Sequence, residues 1–207
     1  MSDIKVLRHR LPDRIIHWAF ALLTLVLLFT GFLPVVGVQF EWVTWHWIAG
    51  VGVTLITIVH ILRHANKADF ATMWFGFRDL KLALARIRQP VVTGKYSPAQ
   101  KMMHWAVAIA LITTVITGLI MMVRIDTPFW ERNIYLLQDN TWGLIYVAHG
   151  LSAMVLLSIA MIHIYFGLRP EKLFYTRSML KGSLNKAEYD ANHDPELWTI
   201  EPAAKQD

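Results

Sequence analysis

The 207-residue sequence contains no cysteine. This absence excludes a disulfide framework, iron–sulfur clusters held by cysteine, and covalently attached c-type haem. Any metal in the chain must therefore be held by histidine, methionine or carboxylate side chains, or inside a non-covalent cofactor.

Charged residues are also scarce, at 17% of the chain against 55% hydrophobic residues. A soluble domain of this size cannot bury so much apolar surface, which favours the lipid bilayer as the solvent. Four apolar stretches are long enough to cross a hydrocarbon core of about 30 Å, which takes roughly 20 helical residues. They are Ile15–Val36, Trp45–Leu62, Met102–Val123 and Trp142–Leu168. We predict an all-α integral membrane protein, a single domain built as a four-transmembrane-helix bundle.

The net charge of +5 would suggest a nucleic-acid ligand in a soluble protein, but its placement favours another explanation. Eighteen of the 20 lysines and arginines lie before the first stretch, between the second and third, or after the fourth. Only Arg124 and Arg132 lie between the third and fourth. Because cytoplasmic loops are enriched in basic residues, we predict that both termini are cytoplasmic and that no nucleic acid is bound.

Two polar segments lie on the predicted cytoplasmic side. Phe70–Ile87, between the second and third stretches, combines bulky apolar residues with basic ones and is followed by Arg88. It is predicted to be an interfacial helix against lipid headgroups, with an irregular loop as the alternative. The tail, residues 171–207, contains no apolar span and is expected to lie on the cytoplasmic surface.

The histidines follow an internal repeat. His17 and the pair Thr30-Gly31 recur 87 residues later as His104 and the pair Thr117-Gly118. In the same way, His46 and His60 recur 103 residues later as His149 and His163. Chance is a sufficient explanation for the Thr-Gly pairs alone, but less so for the matched histidines. We therefore predict two helical hairpins related by an axis along the membrane normal.

Six histidines are expected within or at the ends of the spans, at two depths. Ionisable groups cost roughly 2.5–3.5 kcal/mol or more at membrane depth, so they usually mark function. His46 and His149 should lie near the outer face, and His17, His60, His104 and His163 near the cytoplasmic face. The two histidines of the second span, like those of the fourth, are 14 residues apart, which places both on one helix face about 21 Å apart. Two stacked haems require facing imidazoles at two such levels.

Haem fits this pattern better than a bare metal ion. A bare zinc or iron ion would need a third and fourth side-chain ligand, and the first, second and fourth stretches contain no Asp or Glu. Glycines 31, 50, 52, 118 and 150 would allow close approach of a flat macrocycle, although ordinary helix contact explains each one alone. Arg63, Arg124 and Arg169 flank the spans and are candidates for pairing with haem propionates, with membrane anchoring as the alternative for Arg63 and Arg169. A histidine-lined transporter or channel is the alternative class, and the lack of acidic residues disfavours it.

Several short motifs, in this order and spacing, carry a resemblance to a known family. They are Pro12-Asp13-Arg14-Ile15-Ile16-His17-Trp18, Trp45-His46-Trp47 with Gly50, Gly94-Lys95-Tyr96 with Gln100-Lys101, and His149 with His163-Ile164-Tyr165. Over nearly its whole length the chain resembles the cytochrome b (gamma) subunits of membrane-bound formate dehydrogenases. Related subunits serve nickel–iron hydrogenases and other periplasmic oxidoreductases.

The resemblance implies a multi-pass subunit of the bacterial inner membrane. It would take electrons from an iron–sulfur partner subunit, fed by a catalytic subunit containing molybdenum or tungsten. It would pass them through two haem b groups to menaquinone or ubiquinone. A subunit of a hydrogenase or another periplasmic oxidoreductase, and a standalone diheme quinone oxidoreductase, are the alternatives.

The resemblance also implies site residues. His46 and His149 would be the axial ligands of an outer haem, and His17 and His163 those of an inner haem. The internal repeat instead pairs His163 with His60, which is therefore the alternative to His17.

By resemblance, the quinone site would lie beside the inner haem, and its residues would be Tyr96, Ser97, Gln100, Lys101 and His104. Related subunits often have Asn where this chain has Ser97, and Gly where it has Ala99. A helix N-terminus with no further role is the alternative for this polar cluster. An unligated His104 or His60 is a candidate proton relay, because imidazole titrates near neutral pH.

Overall fold

The computed structural model describes residues 4–65, 67–86 and 92–200, and of residues 67–69, 85 and 86 it describes the backbone only. In chain order the elements are β1 (Lys5–Leu7), α1 (Leu11–Phe32), α2 (Trp42–Arg63), α3 (Lys67–Met73), α4 (Phe77–Arg86), α5 (Pro98–Met121), α6 (Asp139–Leu168), α7 (Leu173–Lys181), β2 (Ser183–Asn185) and α8 (Lys186–Asn192). A 3-10 turn, Met122–Arg124, extends α5, and another, Pro170–Lys172, precedes α7.

Four of these helices are long and apolar enough to cross a membrane: α1, α2, α5 with its 3-10 extension, and α6. At most 11% of the most apolar window of each is buried within the chain. Such helices leave their apolar side chains to a surrounding solvent, which must then be apolar as well. The predicted four-span helical membrane fold is confirmed.

Each long helix begins three or four residues before the predicted stretch. In α1, α5 and α6 the first turn carries proline, polar or charged residues that lower the hydropathy, whereas α2 begins with the apolar Trp42 and Val43. The first helix starts at Leu11, with Pro12 in its first turn, where the missing N–H costs nothing. It ends at Phe32, before the predicted Val36. Pro34 cannot donate to a helical carbonyl, and Gly37 at φ 92° closes the turn that follows.

The chain divides into two compact units. The apolar unit consists of residues 18–62 and 106–161, and the polar unit, among the described residues, of 4–17, 63–105 and 162–200. The single domain expected from the sequence remains a prediction.

The apolar unit contains most of each long helix: residues 18–32 of α1, 42–62 of α2, 106–121 of α5 and 139–161 of α6. The first hairpin is close-packed at Gly52, where an added Cβ would lie 3.1 Å from Leu23 Cδ1. The second hairpin is joined by a hydrogen bond from Thr114 Oγ1 to Ser152 Oγ, 2.8 Å long. These contacts hold each helical hairpin together.

The polar unit contains a small antiparallel sheet that the sequence did not predict. β1 pairs with β2, with Lys5 opposite Asn185 and Leu7 opposite Ser183. A capping box starts α8, in which the Asn185 side chain accepts from Glu188 N and the Glu188 side chain accepts from Asn185 N. The tail therefore folds back on the N-terminal segment. Residues 201–207 of the predicted tail, including Lys205, lie outside the described residues.

The segment between α2 and α5 forms two helices where the sequence left a helix and an irregular loop open. The break falls at Gly76, whose N–H donates to Asp79 Oδ2 at 3.0 Å and so caps the start of α4. Phe77, Leu80 and Leu84 are exposed along α4, as an interfacial helix requires. Their contact with lipid remains a prediction, and Ile87 and Arg88 lie outside the described residues.

Candidate functional site

Within the apolar unit, the structure brings His46 of α2 against His149 of α6. Their ring centroids are 6.3 Å apart and the ring planes cross at 68°. Both rings are half-buried. The pair that the sequence assigned to the outer depth is therefore formed by facing helices.

Each histidine of this pair is hydrogen-bonded to a threonine of its own hairpin. Thr30 Oγ1 lies 2.8 Å from His46 Nδ1, and Thr117 Oγ1 lies 3.0 Å from His149 Nδ1. Each hydroxyl also donates to the carbonyl four residues earlier, at 2.7 Å in both cases. A hydroxyl has one proton, so it must accept from the imidazole, which fixes Nδ1 as the protonated nitrogen. This leaves the Nε2 lone pair of both rings free to bind a metal.

The glycine after each threonine makes room for the same histidine. A Cβ on Gly31 would lie 3.5 Å from His46 Cε1, and one on Gly118 would lie 3.2 Å from His149 Cε1. The two Thr-Gly pairs therefore support the two imidazoles. From the sequence alone, chance was a sufficient explanation for their repetition. Of the other three glycines singled out, Gly50 and Gly52 face leucines and Gly150 faces open space.

The polar unit contains a second pair, His17 of α1 and His163 of α6. Their ring centroids are 6.2 Å apart and the planes cross at 57°. His60, the alternative suggested by the repeat, meets the ring of Phe20 edge-on at 6.0 Å. The described residues contain no group of three or more His, Cys, Asp or Glu side chains placed to hold a metal ion by themselves.

The comparison with known families decides what kind of protein this is. The family model described as prokaryotic cytochrome b561 matches residues 8–182. The chain belongs to this family. It is also similar to the formate dehydrogenase cytochrome b556 subunit of Haemophilus influenzae, with 23% identity over an alignment that covers 99% of this chain and 87% of that protein.

Membership in the cytochrome b561 family implies haem b binding, and the imidazole pairs fit that group. A metal–imidazole bond is about 2.0 Å long, and the atoms of an imidazole lie about 1.15 Å from its centre. An iron clasped between two imidazoles therefore separates their centres by about 6.3 Å. The observed separations of 6.3 and 6.2 Å agree with this value. Two ligands per site also suit a macrocycle that brings four nitrogens of its own.

The predicted quinone residues lie around the start of α5 and do not all meet at one place. Ser97 and Gln100 form a reciprocal cap: Ser97 N donates to Gln100 Oε1 at 2.9 Å, and Gln100 N donates to Ser97 Oγ at 3.3 Å. This is the helix-start role left open in the sequence analysis. The ring of His104 meets that of Trp105 at 6.0 Å.

Tyr96 and Lys101 instead line a cavity of about 240 Å³ in the polar unit. Lys101 Nζ forms an ion pair with Asp79 Oδ1 at 3.0 Å and donates to the carbonyl of Trp74 at 3.2 Å. Ser97, Gln100 and His104 are not among the residues that line this cavity.

A buried arginine near the N-terminus was missed by the sequence analysis. Arg8 is 2% exposed, and its guanidinium lies 4.6 Å from the ring centre of Tyr175 and 5.5 Å from that of Trp198. It donates from Nε to His9 Nε2 at 3.2 Å and from Nη1 to His193 Nε2 at 3.1 Å. The cluster joins the N-terminal segment to the tail.

The two histidines of this cluster must be neutral to accept from a guanidinium. Burial, reinforced by the charge of Arg8, lowers the pKa of His9 to about 3. Burial also lowers the pKa of His193, whose Nδ1 donates to the carbonyl of Gly94 at 2.9 Å. Both imidazoles are thus uncharged at neutral pH. The sequence shows that Arg8, His9 and His193 lie in polar segments. No motif near any of them indicates that the three side chains contact one another.

The three arginines considered for propionates have different surroundings. Arg63 Nε pairs with Asp13 Oδ1 at 3.0 Å, and Arg169 Nε pairs with Glu171 Oε2 at 3.2 Å. Arg124 lies over the rings of Trp142 and Tyr146, at 5.1 and 5.7 Å, and forms no ion pair within the described part of the chain.

Proposed function

We propose that this cytochrome b561 family member is a diheme membrane subunit that conducts electrons between a partner protein on the outer side and quinone on the cytoplasmic side. The observation that carries the proposal is the presence of two imidazole pairs, each with the ring separation that an iron between them requires. Haem b, when bound, supplies reversible one-electron carriage at each pair.

The chain's own residues would hold, orient and insulate the two groups. His46 and His149 would ligate the outer haem through Nε2, held in that tautomer by Thr30 and Thr117. His17 and His163 would ligate the inner one. Two imidazoles would hold each haem, so the bound group would supply electron transfer rather than oxygen chemistry. His149 and His163 both belong to α6.

The distribution of basic residues along the chain supports a direction for electron transfer. Eighteen of 20 lie before Ile15, between Leu62 and Met102, or after Leu168, which supports a cytoplasmic location for these parts in the bacterial inner membrane. Electrons moving from the outer to the inner pair would then move toward the cytoplasm. Each charge that crosses works against about 2.3 kcal/mol per 100 mV of membrane potential. The subunit would thus conserve energy.

The partner proposal rests on the relative whose name places it in a formate dehydrogenase. By analogy, an iron–sulfur subunit would deliver electrons to the outer pair, and a molybdenum- or tungsten-containing subunit would oxidise the donor. A hydrogenase or another periplasmic oxidoreductase is the alternative complex, and a standalone quinone oxidoreductase is the alternative without partners. Purification of the chain from its native membrane, with identification of the co-purifying subunits, distinguishes them.

We place quinone reduction at the start of α5, among Tyr96, Ser97, Gln100, Lys101 and His104. Support comes from the cavity that Tyr96 and Lys101 line together. Tyr96→Phe should lower quinone reduction several-fold without changing the haem spectrum. Gln100→Ala tests the other explanation: if it lowers thermal stability and activity in parallel, Gln100 serves the helix cap alone.

Haem content of single histidine variants tests the proposal as a whole. H46A and H149A should each lose one of two haems, and H17A and H163A the other, measured per purified chain by pyridine haemochrome absorbance. H60A and H104A are matched controls and should retain both. A colourless wild-type chain would refute the proposal, and loss of haem from H60A but not H17A would replace His17 with His60.

A further inference from the structure

One buried polar atom near the His46–His149 pair has no partner. Trp142 is 1% exposed, and its indole Nε1 is, among the described residues, the buried side-chain nitrogen or oxygen that makes no hydrogen bond. Buried polar groups in native proteins are almost always hydrogen-bonded, so an orphaned N–H indicates an acceptor that the described residues do not supply.

A cation lies beside this N–H. The guanidinium carbon of Arg124 is 5.1 Å from the Trp142 ring centre and 5.7 Å from that of Tyr146. Unlike Arg63 and Arg169, it forms no ion pair within the described part of the chain. Indole and guanidinium groups are hydrogen-bond donors only. Together they form a positively charged site that offers donors but contains no acceptor of its own. The group that satisfies both is an anion, and a carboxylate suits the guanidinium best.

The position of this donor pair on α6 identifies the anion. Trp142 precedes His149 by seven residues, which is two turns less about 20° and about 10.5 Å along the axis. Trp142 and Tyr146 therefore lie on the face of α6 that bears the metal-binding imidazole, toward the outer end. A haem held by His46 and His149 would lie against this face, and its only anionic substituents are its propionates.

We propose that Trp142 Nε1 and Arg124 form the propionate-binding site of the outer haem, an inference that rests on the proposed function of the His46–His149 pair. The indole donates one hydrogen bond to a propionate oxygen. Arg124 provides the counter-charge, held in place by stacking on Trp142 and Tyr146. A carboxylate from a partner subunit is a weaker candidate, because a haem bound to His149 would already lie on this face.

Redox titration of the purified full chain or its native complex tests the site. W142F keeps an aromatic ring for Arg124 but removes the N–H, and R124Q removes the charge. An uncompensated propionate favours the oxidised iron, so each variant should lower the reduction equilibrium constant of the outer haem threefold to tenfold. Tenfold is 59 mV for a one-electron couple. Because both residues act on one carboxylate, the double variant should shift the potential by less than the sum of the single shifts.

Two matched controls come from the same outer loop. W130F removes an exposed indole whose Nε1 already donates to the carbonyl of Met122 at 3.2 Å. R132Q removes an exposed arginine paired with Asp126 at 3.7 Å. Both controls should leave the two potentials unchanged.

The outcomes separate the inference from the proposal beneath it. If H149A retains both haems, no haem is bound at this pair and the proposed function fails. If H149A loses one haem but W142F and R124Q leave both potentials unchanged, the carboxylate site is wrong and the indole serves a water or a partner protein. Equal shifts in R124Q and R132Q would also overturn it, since they would report bulk charge alone. If W142F does not fold, the comparison of R124Q with its control R132Q still tests the inference.

Discussion

Thr30→Val should weaken haem binding at the outer pair, because it keeps the shape of the side chain and removes its hydroxyl. The Nδ1–H of His46 then loses its acceptor at 2.8 Å. Substitution of groups that orient a metal-ligating histidine typically weakens metal binding 10- to 100-fold, which is about 1.4 to 2.8 kcal/mol. That range agrees with the cost of about 1–3 kcal/mol for leaving a buried donor unsatisfied. Thr117→Val should act similarly through His149, whose contact is 3.0 Å.

The measurement is transfer of haem from the purified protein to excess apomyoglobin, followed by absorbance. In T30V and T117V the outer haem should transfer to apomyoglobin faster than it does from the wild-type protein. The inner haem should transfer at the wild-type rate. Thr57→Val is the matched control, because Thr57 Oγ1 donates to the carbonyl of Val53 at 2.8 Å and, among the described residues, makes no hydrogen bond to a histidine. If T30V keeps its haem as firmly as T57V does, while H46A loses it, the hydroxyl does not orient the imidazole.

Two further predictions follow from the close contacts and from the buried histidines. Gly118→Ala should reduce outer-haem content more than Gly31→Ala, since the new Cβ would lie 3.2 Å from its histidine in the first case and 3.5 Å in the second; equal haem contents by pyridine haemochrome would contradict this. Acid should loosen the polar unit, because burial lowers the pKa of His9 from 6.5 to about 3. The unfolded state then takes up the proton first, so stability falls as pH drops below about 6.5, by roughly 2 kcal/mol at about pH 5. Hydrogen-exchange protection factors of Ser183–Asn185 at about pH 7 and about pH 5, which are corrected for the pH dependence of intrinsic amide exchange, measure it. Unchanged protection, or the same loss of protection in His9→Asn, would oppose it.

The four long helices could be predicted from the sequence, and the membrane depth of their histidines stays a prediction. A long apolar run indicates a segment that is surrounded by lipid. A rise of 1.5 Å per residue converts the spacing of two residues in a helix into their distance along its axis, without any knowledge of packing. The same reasoning placed the helix starts three or four residues late, as at Leu11, where the first turn carries Pro12 and Asp13 and so lowers the local hydropathy. Motif order then indicated the family, although its motifs are short.

Contacts between segments distant in the chain needed the tertiary structure. The sequence left two partners for His163, and only helix rotation and side-chain packing bring the ring of His17 to 6.2 Å from it. The threonines that hold His46 and His149 looked like chance repeats, since their role depends on a neighbouring helix. The docking of the tail on β1 and the unpartnered indole of Trp142 were equally invisible. Residue composition is enough to show which segments prefer lipid, because that preference is a sum over local residues. Which side chains meet depends on three-dimensional packing, so these contacts are known only from the folded structure.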